Sequence, residues 1–311
     1  MKLKILLWAV ILISLSLNFF LLFLLSQKPT PSIPLTSLNT DYPLLASRIL
    51  IENYHDVLIN FIPLRSSLKE IVAPWEDSFS FYFEYLPTGI SIGINEKHEY
   101  ETNSLLKLPF IITLYRQMEE TGLDIESTTL KLEEKHIDQE FGTLWQKGPG
   151  YEITVKEAVN YAIIDSDNTA IKAIKDLLQP KYLVQVYDNL DVPLTTDKDN
   201  NPTISAKNYS SILKSLYFSS ILSKENSQKI LDLLTMTNYK DKLPSGITDN
   251  IKVAHKIGVR RGQIYQDCGI VYLPSRPYIL CMFSRSDENT ARDRMTLVSK
   301  TIFNFLNAGK K

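Results

Sequence analysis

Ser104 and Lys107 stand three residues apart at the start of a stretch with helical periodicity, a spacing that puts both side chains on one face. A serine hydroxyl is a poor nucleophile until a neighbouring base takes its proton. A lysine can be that base only when neutral, so its pKa must fall from ~10.4 toward neutrality. Burial and a second nearby cation both lower it. Lys256, near the C-terminal end, is the candidate for that cation, and it would also offer positive charge to a substrate carboxylate. Ser166-Asp167-Asn168 falls between the two lysines in the chain. Ser166 could bridge them and relay a proton to a leaving nitrogen. Asn168 could hold a substrate amide, while Asp167 is better suited to orienting backbone than to reacting. A helix N-terminus at Ser104 adds N–H groups suited to a developing oxyanion. Taken singly, Ser104 reads as a helix cap, Lys107 as surface charge, residues 166–168 as a capped turn and Lys256 as any strand lysine. Their joint occurrence in this order reads as an acyl-transfer site.

The elements that must position these residues are readable from periodicity. A helix is expected over Pro63 to Val72, with Leu64, Leu68 and Ile71 on one face. The period then shortens to two: Phe79 to Tyr85 and Ile90 to Ile94 read as strands joined by a turn at Leu86-Pro87-Thr88-Gly89. Helical pattern returns from Ser104 to about Glu120. Thr154, with Glu157 three residues on, forms a capping box, and the helix it starts runs through Ile163 and delivers Ser166 at its end. Further helices are expected over Thr169 to Leu178 (stopping before Pro180), Ser205 to Leu216, Ser223 to Leu234 and Arg292 to Leu306. Lys252 to Ile257, Ile264 to Leu273 and Tyr278 to Phe283 read as strands. Two early strands, a helical middle and three late strands imply one sheet assembled from both ends of the chain. The helices from about 104 to 235 are then an inserted lobe, and clefts between lobes are favoured ligand sites.

Other features are set aside or bound the answer. Gly89-Ile90-Ser91-Ile92-Gly93 fits the G-x-S-x-G nucleophile elbow, but that motif needs a strand, a sharp turn and then a helix. Here Ser91 alternates with isoleucines inside a strand. The histidines, His55, His98, His136 and His255, lack metal-ligand spacing, so neither a metal nor a cofactor is expected. Lys and Arg number 34 against 35 Asp and Glu, which gives no field for nucleic acid. Cys268 and Cys281 fall in apolar strand-like segments and read as two buried thiols, a cross-strand disulfide being the alternative. Ile5 to Leu25 is apolar apart from Ser14, Ser16 and Asn18; at about 1.5 Å per residue it matches a ~30 Å hydrocarbon core. Leu24-Leu25-Ser26 is a poor cleavage site. Residues 1–27 are therefore expected to be an uncleaved single-pass anchor, with Lys2 and Lys4 on the cytoplasmic side and everything after Gln27 outside. Residues 28–41 read as a proline-rich spacer and 42–311 as the catalytic domain, in the cell membrane but extracytoplasmic.

From about Phe79 to the C-terminus the chain resembles the class A β-lactamase and penicillin-binding serine hydrolase superfamily. The resemblance is carried by the ordered S-x-x-K, S-D-N and K-x-G motifs. The run Ile153-Thr-Val-Lys-Glu-Ala-Val-Asn-Tyr-Ala-Ile-Ile-Asp-Ser-Asp-Asn-Thr-Ala170 and the strand Asp267-Cys-Gly-Ile-Val-Tyr272 add to it. It implies an α/β (α+β), two-lobed fold: a five-stranded antiparallel sheet flanked by helices, plus an all-helical lobe. It implies Ser104 as the acylated nucleophile, Lys107, Ser166 and Lys256 as the proton and charge network, and Asn168, Gly258 and Val259 at the substrate. An oxyanion hole is implied at the N–H groups of Ser104 and Val259. The implied substrate is a β-lactam or a D-Ala-D-Ala peptide of peptidoglycan; a monomer is expected.

Two departures matter. The family's third motif usually has Thr or Ser where Ile257 stands, and losing that hydroxyl's bond to a substrate carboxylate is worth about 1.5–3 kcal/mol. Arg260 and Arg261 are candidates to compensate. Class A enzymes also deacylate with a glutamate on a loop after the second motif. No glutamate lies between Glu157 and Glu225, and the corresponding loop, Asp191 to Thr203, offers only Asp191, Asp197 and Asp199. The expectation is a membrane-anchored serine hydrolase that acylates readily and deacylates slowly. The alternatives are a D,D-peptidase-like wall enzyme and a catalytically silent wall-binding module of the same fold.

Overall fold

Pro63 stands in the first turn of helix α1 (Ile62–Val72), where no N–H is required, so the chain enters a helix as soon as its apolar stripe begins. This is seen in a computed structural model, which describes Leu44, residues 59–248 and residues 250–308. The expected anchor at 1–27 and spacer at 28–41 lie outside these residues. Among the described residues no helix is long and apolar enough to cross a membrane.

Strands β1 (Phe79–Tyr85) and β2 (Ile90–Ile94) follow α1 with the bounds their alternation predicts, and Ser91 is a strand residue. Then come β3 (Glu99–Glu101), α2 (Lys107–Thr121), the pair β4 (Thr129–Lys131) and β5 (Glu152–Thr154), and α3 (Val155–Ile164), which starts on the Thr154–Glu157 capping box. Helix α4 (Asn168–Lys175) precedes α5 (Pro180–Asn189), which periodicity did not reveal. Helix α4 ends at Lys175, short of the expected Leu178, and Pro180, at the first position of the next helix, begins it with its φ already helical. Strands β6 (Thr195–Thr196) and β7 (Pro202–Ser205) lead to α6 (Ala206–Tyr217) and α7 (Lys224–Thr235). The chain closes with β8 (Val253–Arg260), β9 (Ile264–Val271), β10 (Tyr278–Ser284) and α8 (Glu288–Ala308). The strands β3 to β7 are two to four residues long, too short to show a period.

The large sheet is antiparallel in the order β2-β1-β10-β9-β8, so the first and last strands of the chain pair at its centre, as expected. β1, β9 and β10 are buried at every residue because both faces are covered. Phe79, Phe81, Phe83, Tyr278, Leu280 and Met282 share one apolar cluster with Leu64 and Leu68 of α1 and Met295, Val298 and Ile302 of α8. Tyr82, Ile279, Cys281 and Ile270 belong to the other cluster, with residues of α2, α3, α4 and α6. Cys268 and Cys281 face each other across β9 and β10 as buried free thiols; the disulfide alternative is not realised.

Candidate active site

Ser104 does not begin an α-helix, as periodicity suggested; it lies in a single 3-10 turn, Asn103–Leu106, that runs into α2 at Lys107. The turn is clamped from three sides. Asn103 takes a left-handed φ of 47°, which asparagine tolerates better than most residues, and its side chain donates to Glu101 O at 3.1 Å and to Gln266 Oε1 at 3.2 Å. Leu105 is fully buried, and Tyr209 Oη donates to its carbonyl at 3.3 Å. On the strand side lies Gly258, where a Cβ would meet Gln266 Oε1 at 2.2 Å and Leu105 Cγ at 3.1 Å. What Gly258 demonstrably does is let β8 approach the serine turn.

Lys107 and Lys256 converge on Ser166, as the sequence implied. Lys107 Nζ lies 3.0 Å from Ser104 Oγ, 3.2 Å from Ser166 Oγ and 2.7 Å from Asn168 Oδ1, and also donates to the Ser166 carbonyl. Lys256 Nζ donates to Ser166 Oγ at 2.7 Å. Burial pulls Lys107 down to about 7 against the opposing pull of Asp167, Asp138 and Glu140. Lys256 is held well below the ordinary lysine range by burial first and by Lys107 second. A lysine neutral near pH 7 beside a serine hydroxyl is an activated nucleophile pair.

Ser166 reaches the lysines because the chain reverses at it: α3 ends at Ile164, and Ser166 adopts a left-handed φ of 56° before α4 begins at Asn168. The reversal is held by Asp167, which is fully buried. Its Oδ1 accepts from Ala170 N–H and its Oδ2 from Leu144 N–H, each at 2.8 Å. Gly142, at φ 87°, presses against it; a Cβ there would lie 2.0 Å from Asp167 Oδ2. Asp167 orients backbone, as expected, by capping α4 and anchoring the 142–144 segment.

Strand β8 is the edge of the sheet, and its free side faces this cluster. Tyr272 N–H bonds to Lys252 O within the β8–β9 pairing, so even-numbered residues of β8 turn their backbone groups toward β9. Val259 therefore directs its N–H along the open edge. A cleft of about 620 Å³ along β8 is lined by Ile257, Val259, Arg261, Lys242, Glu140 and Phe141, among others. Ile257 presents an apolar side chain there. Of the two arginines that could replace the missing hydroxyl, Arg260 pairs with Glu101, whereas Arg261 lines the cleft, stacks 5.1 Å over Phe141 and donates one N–H to Glu140 O at 3.4 Å. In the shortened loop, Asp197 accepts from Asp199 N–H, Asn201 N–H and Asn201 Nδ2 and shapes a turn, and neither Asp191, Asp197 nor Asp199 bonds to Ser104 or Lys107. The buried histidines His136 and His255 are tied to Asp176 and Asp267. Sequence reasoning missed Asp138, which accepts from Asn168 Nδ2 at 3.0 Å; it sits in a segment without period or motif, and nothing local marks it.

No curated protein matches the chain. Among solved structures, PBP-A is similar with a TM-score of 0.72 at 21% identity, over 79% of this chain and 97% of that one. A PBP-A variant described as an acyl-enzyme complex with penicillin G gives 0.73, at the same identity and coverage. A β-lactamase from Sphaerobacter thermophilus gives 0.71 at 16% identity, over 80% of this chain and 98% of that one. These likenesses show that the chain shares the fold of PBP-A and of a β-lactamase. The family model described as the beta-lactamase enzyme family matches residues 63–306, the stretch that holds the sheet, the serine turn and both lysines, and the chain belongs to that family.

Proposed function

We propose that this protein is a membrane-anchored serine hydrolase that forms an acyl-enzyme at Ser104 with β-lactams or D-Ala-D-Ala-type peptides and releases the acyl group slowly. The observation that carries the reading is the 3.0 Å approach of Lys107 Nζ to Ser104 Oγ, on a lysine whose burial brings it to about 7. Neutral Lys107 takes the Ser104 proton as Oγ attacks the carbonyl carbon. The oxyanion is received at the N–H groups of Ser104 and Val259. The C–N bond then breaks as Ser166 Oγ–H protonates the leaving nitrogen, and Ser166 is reprotonated from the lysines on either side of it. Asn168 holds the substrate amide. For the second half of the cycle, a water must attack the ester, and neither Asp191, Asp197 nor Asp199 bonds to Ser104 or Lys107 to assist it. The described PBP-A complex with penicillin G supports a stable acyl-enzyme on a fold of this kind.

Intact mass after mixing the soluble domain with penicillin G tests this. The expected result is a one-penicillin adduct on the wild type that persists for minutes to hours, and none on Ser104→Ala. Absence of any adduct with β-lactams and acyl-peptides alike would favour the silent wall-binding alternative; loss of the adduct within seconds would mark an efficient lactamase instead.

A further inference from the structure

A side-chain amide has two orientations of nearly the same shape, and only one of them suits a lysine partner. Asn168 Oδ1 accepts from Lys107 Nζ at 2.7 Å, and Asn168 Nδ2 donates to Asp138 Oδ1 at 3.0 Å. Flipping the amide would set a donor against each donor of Lys107 and an acceptor against an acceptor-only carboxylate. Asp138 is itself held in place. Lys172 Nζ lies 2.8 Å from its Oδ2, Glu140 N–H donates to its Oδ1 at 3.0 Å, and its own N–H donates to Thr169 Oγ1 at 3.0 Å. Partial burial opposes its ionisation, yet the bonds from Lys172 and Asn168 keep its carboxyl below the usual range.

We propose that Asp138 is a positioning residue of the site: it fixes the Asn168 amide so that Oδ1 meets Lys107 and the second Nδ2 hydrogen faces the substrate, and its charge, tempered by Lys172, acts on Lys107 across that amide. The charged groups facing Lys107 are Asp167, Asp138 and Glu140, which favour its protonated form, and Lys256, which shares Ser166 with it. Asp138 is the member of this set whose counter-charge, Lys172, reaches solvent on the flank of α4. The two members of the pair carry charges of opposite sign and so act on Lys107 in opposite directions. The inference rests on the acylation chemistry proposed above, but Lys107 titration can be followed without it.

The test combines an NMR titration of the Lys107 side chain with the pH profile of acylation by a fluorescent penicillin. Asp138→Asn keeps an acceptor oxygen for Asn168 and removes the charge. The Lys107 midpoint and the acid limb of acylation should both move down by about half to one pH unit, the scale of one charge across several ångströms of partly solvated protein. Lys172→Ala removes the opposing cation, so the midpoint should move up. Asp138→Ala also frees the Asn168 amide, and the plateau rate should fall about tenfold or more. A merely structural Asp138 would lower rates without moving the midpoint. Midpoints unchanged in Asp138→Asn and Lys172→Ala, or moved in the same direction, overturn the proposal even if Asp138→Ala fails to fold. If no acyl donor labels the wild type, the acylation reading fails while the NMR midpoints still decide the role of Asp138.

Discussion

Lys107 Nζ has four oxygen neighbours, one more than an ammonium has hydrogens. A neutral amine can engage three of them, with two N–H bonds to the Ser166 carbonyl and Asn168 Oδ1 and the lone pair facing the Ser104 hydroxyl proton, while the fourth, Ser166 Oγ, accepts from Lys256 at 2.7 Å. The geometry accommodates the base form, and burial favours it. Because Lys107 titrates near 7 and must be unprotonated to act, acylation should rise with pH through about 7 and level off above it. A rate flat from pH 5 to 9, measured with a chromogenic β-lactam, would remove Lys107 from the role. Lys107→Arg stays protonated at any usable pH and should lose about 10²- to 10⁴-fold in acylation. The identities of these residues were legible in the sequence. The orientation of Asn168 was not, because it depends on a carboxylate thirty positions away.

Elements decide whether Ser104 stands where Lys107 can use it. The 3-10 turn has little hydrogen bonding of its own and is positioned by Leu105 beneath it, Asn103 and Gln266 beside it, and the bare backbone of Gly258 against it. Gly258→Ala would drive a methyl into Gln266 Oε1, whose amide is already bound to Glu101 O at 2.9 Å and cannot swing freely. Overpacking of this kind costs about 1–3 kcal/mol, read by urea denaturation. Acylation should fall further than stability alone explains, since the displaced turn carries the nucleophile. The Gly258→Ala, Gln266→Ala double variant should recover part of the stability, a coupling expected only between touching residues. Alternation made β1 and β2 readable to the residue and capping did so for the start of α3, whereas the reversal at Ser166 and the 3-10 turn were hidden inside longer helical patterns.

At the scale of the whole molecule, Lys107 and Lys256 are buried in the wall between the sheet and the helices, where a charged lysine costs stability. Lys107 binds its proton near pH 7 when folded and near ~10.4 when unfolded, so between these values the unfolded chain holds more protons and stability climbs with pH. Below about pH 7 the penalty is at its full size. Lys107→Met removes it. The melting temperature of that variant relative to wild type should therefore be highest below pH 7 and decline toward pH 10, as followed by calorimetry. A pH-independent difference would mean that Lys107 keeps an ordinary pKa in the folded protein.

The amino-acid sequence alone determined the motifs, most helices and strands, and a sheet drawn from both ends of the chain, because periodicity and caps are settled within a turn or two of neighbouring residues. Tertiary structure alone decided the distances at which both lysines meet Ser166, that Gly258 serves packing, that Arg260 and Arg261 have protein partners, and that Asp138 stands behind Asn168. Those contacts join residues remote in the chain. Only burial of the two apolar clusters on the sheet brings them within hydrogen-bonding distance, and the same burial gives Ser104 and Lys107 the dry surroundings in which a lysine can act as a base.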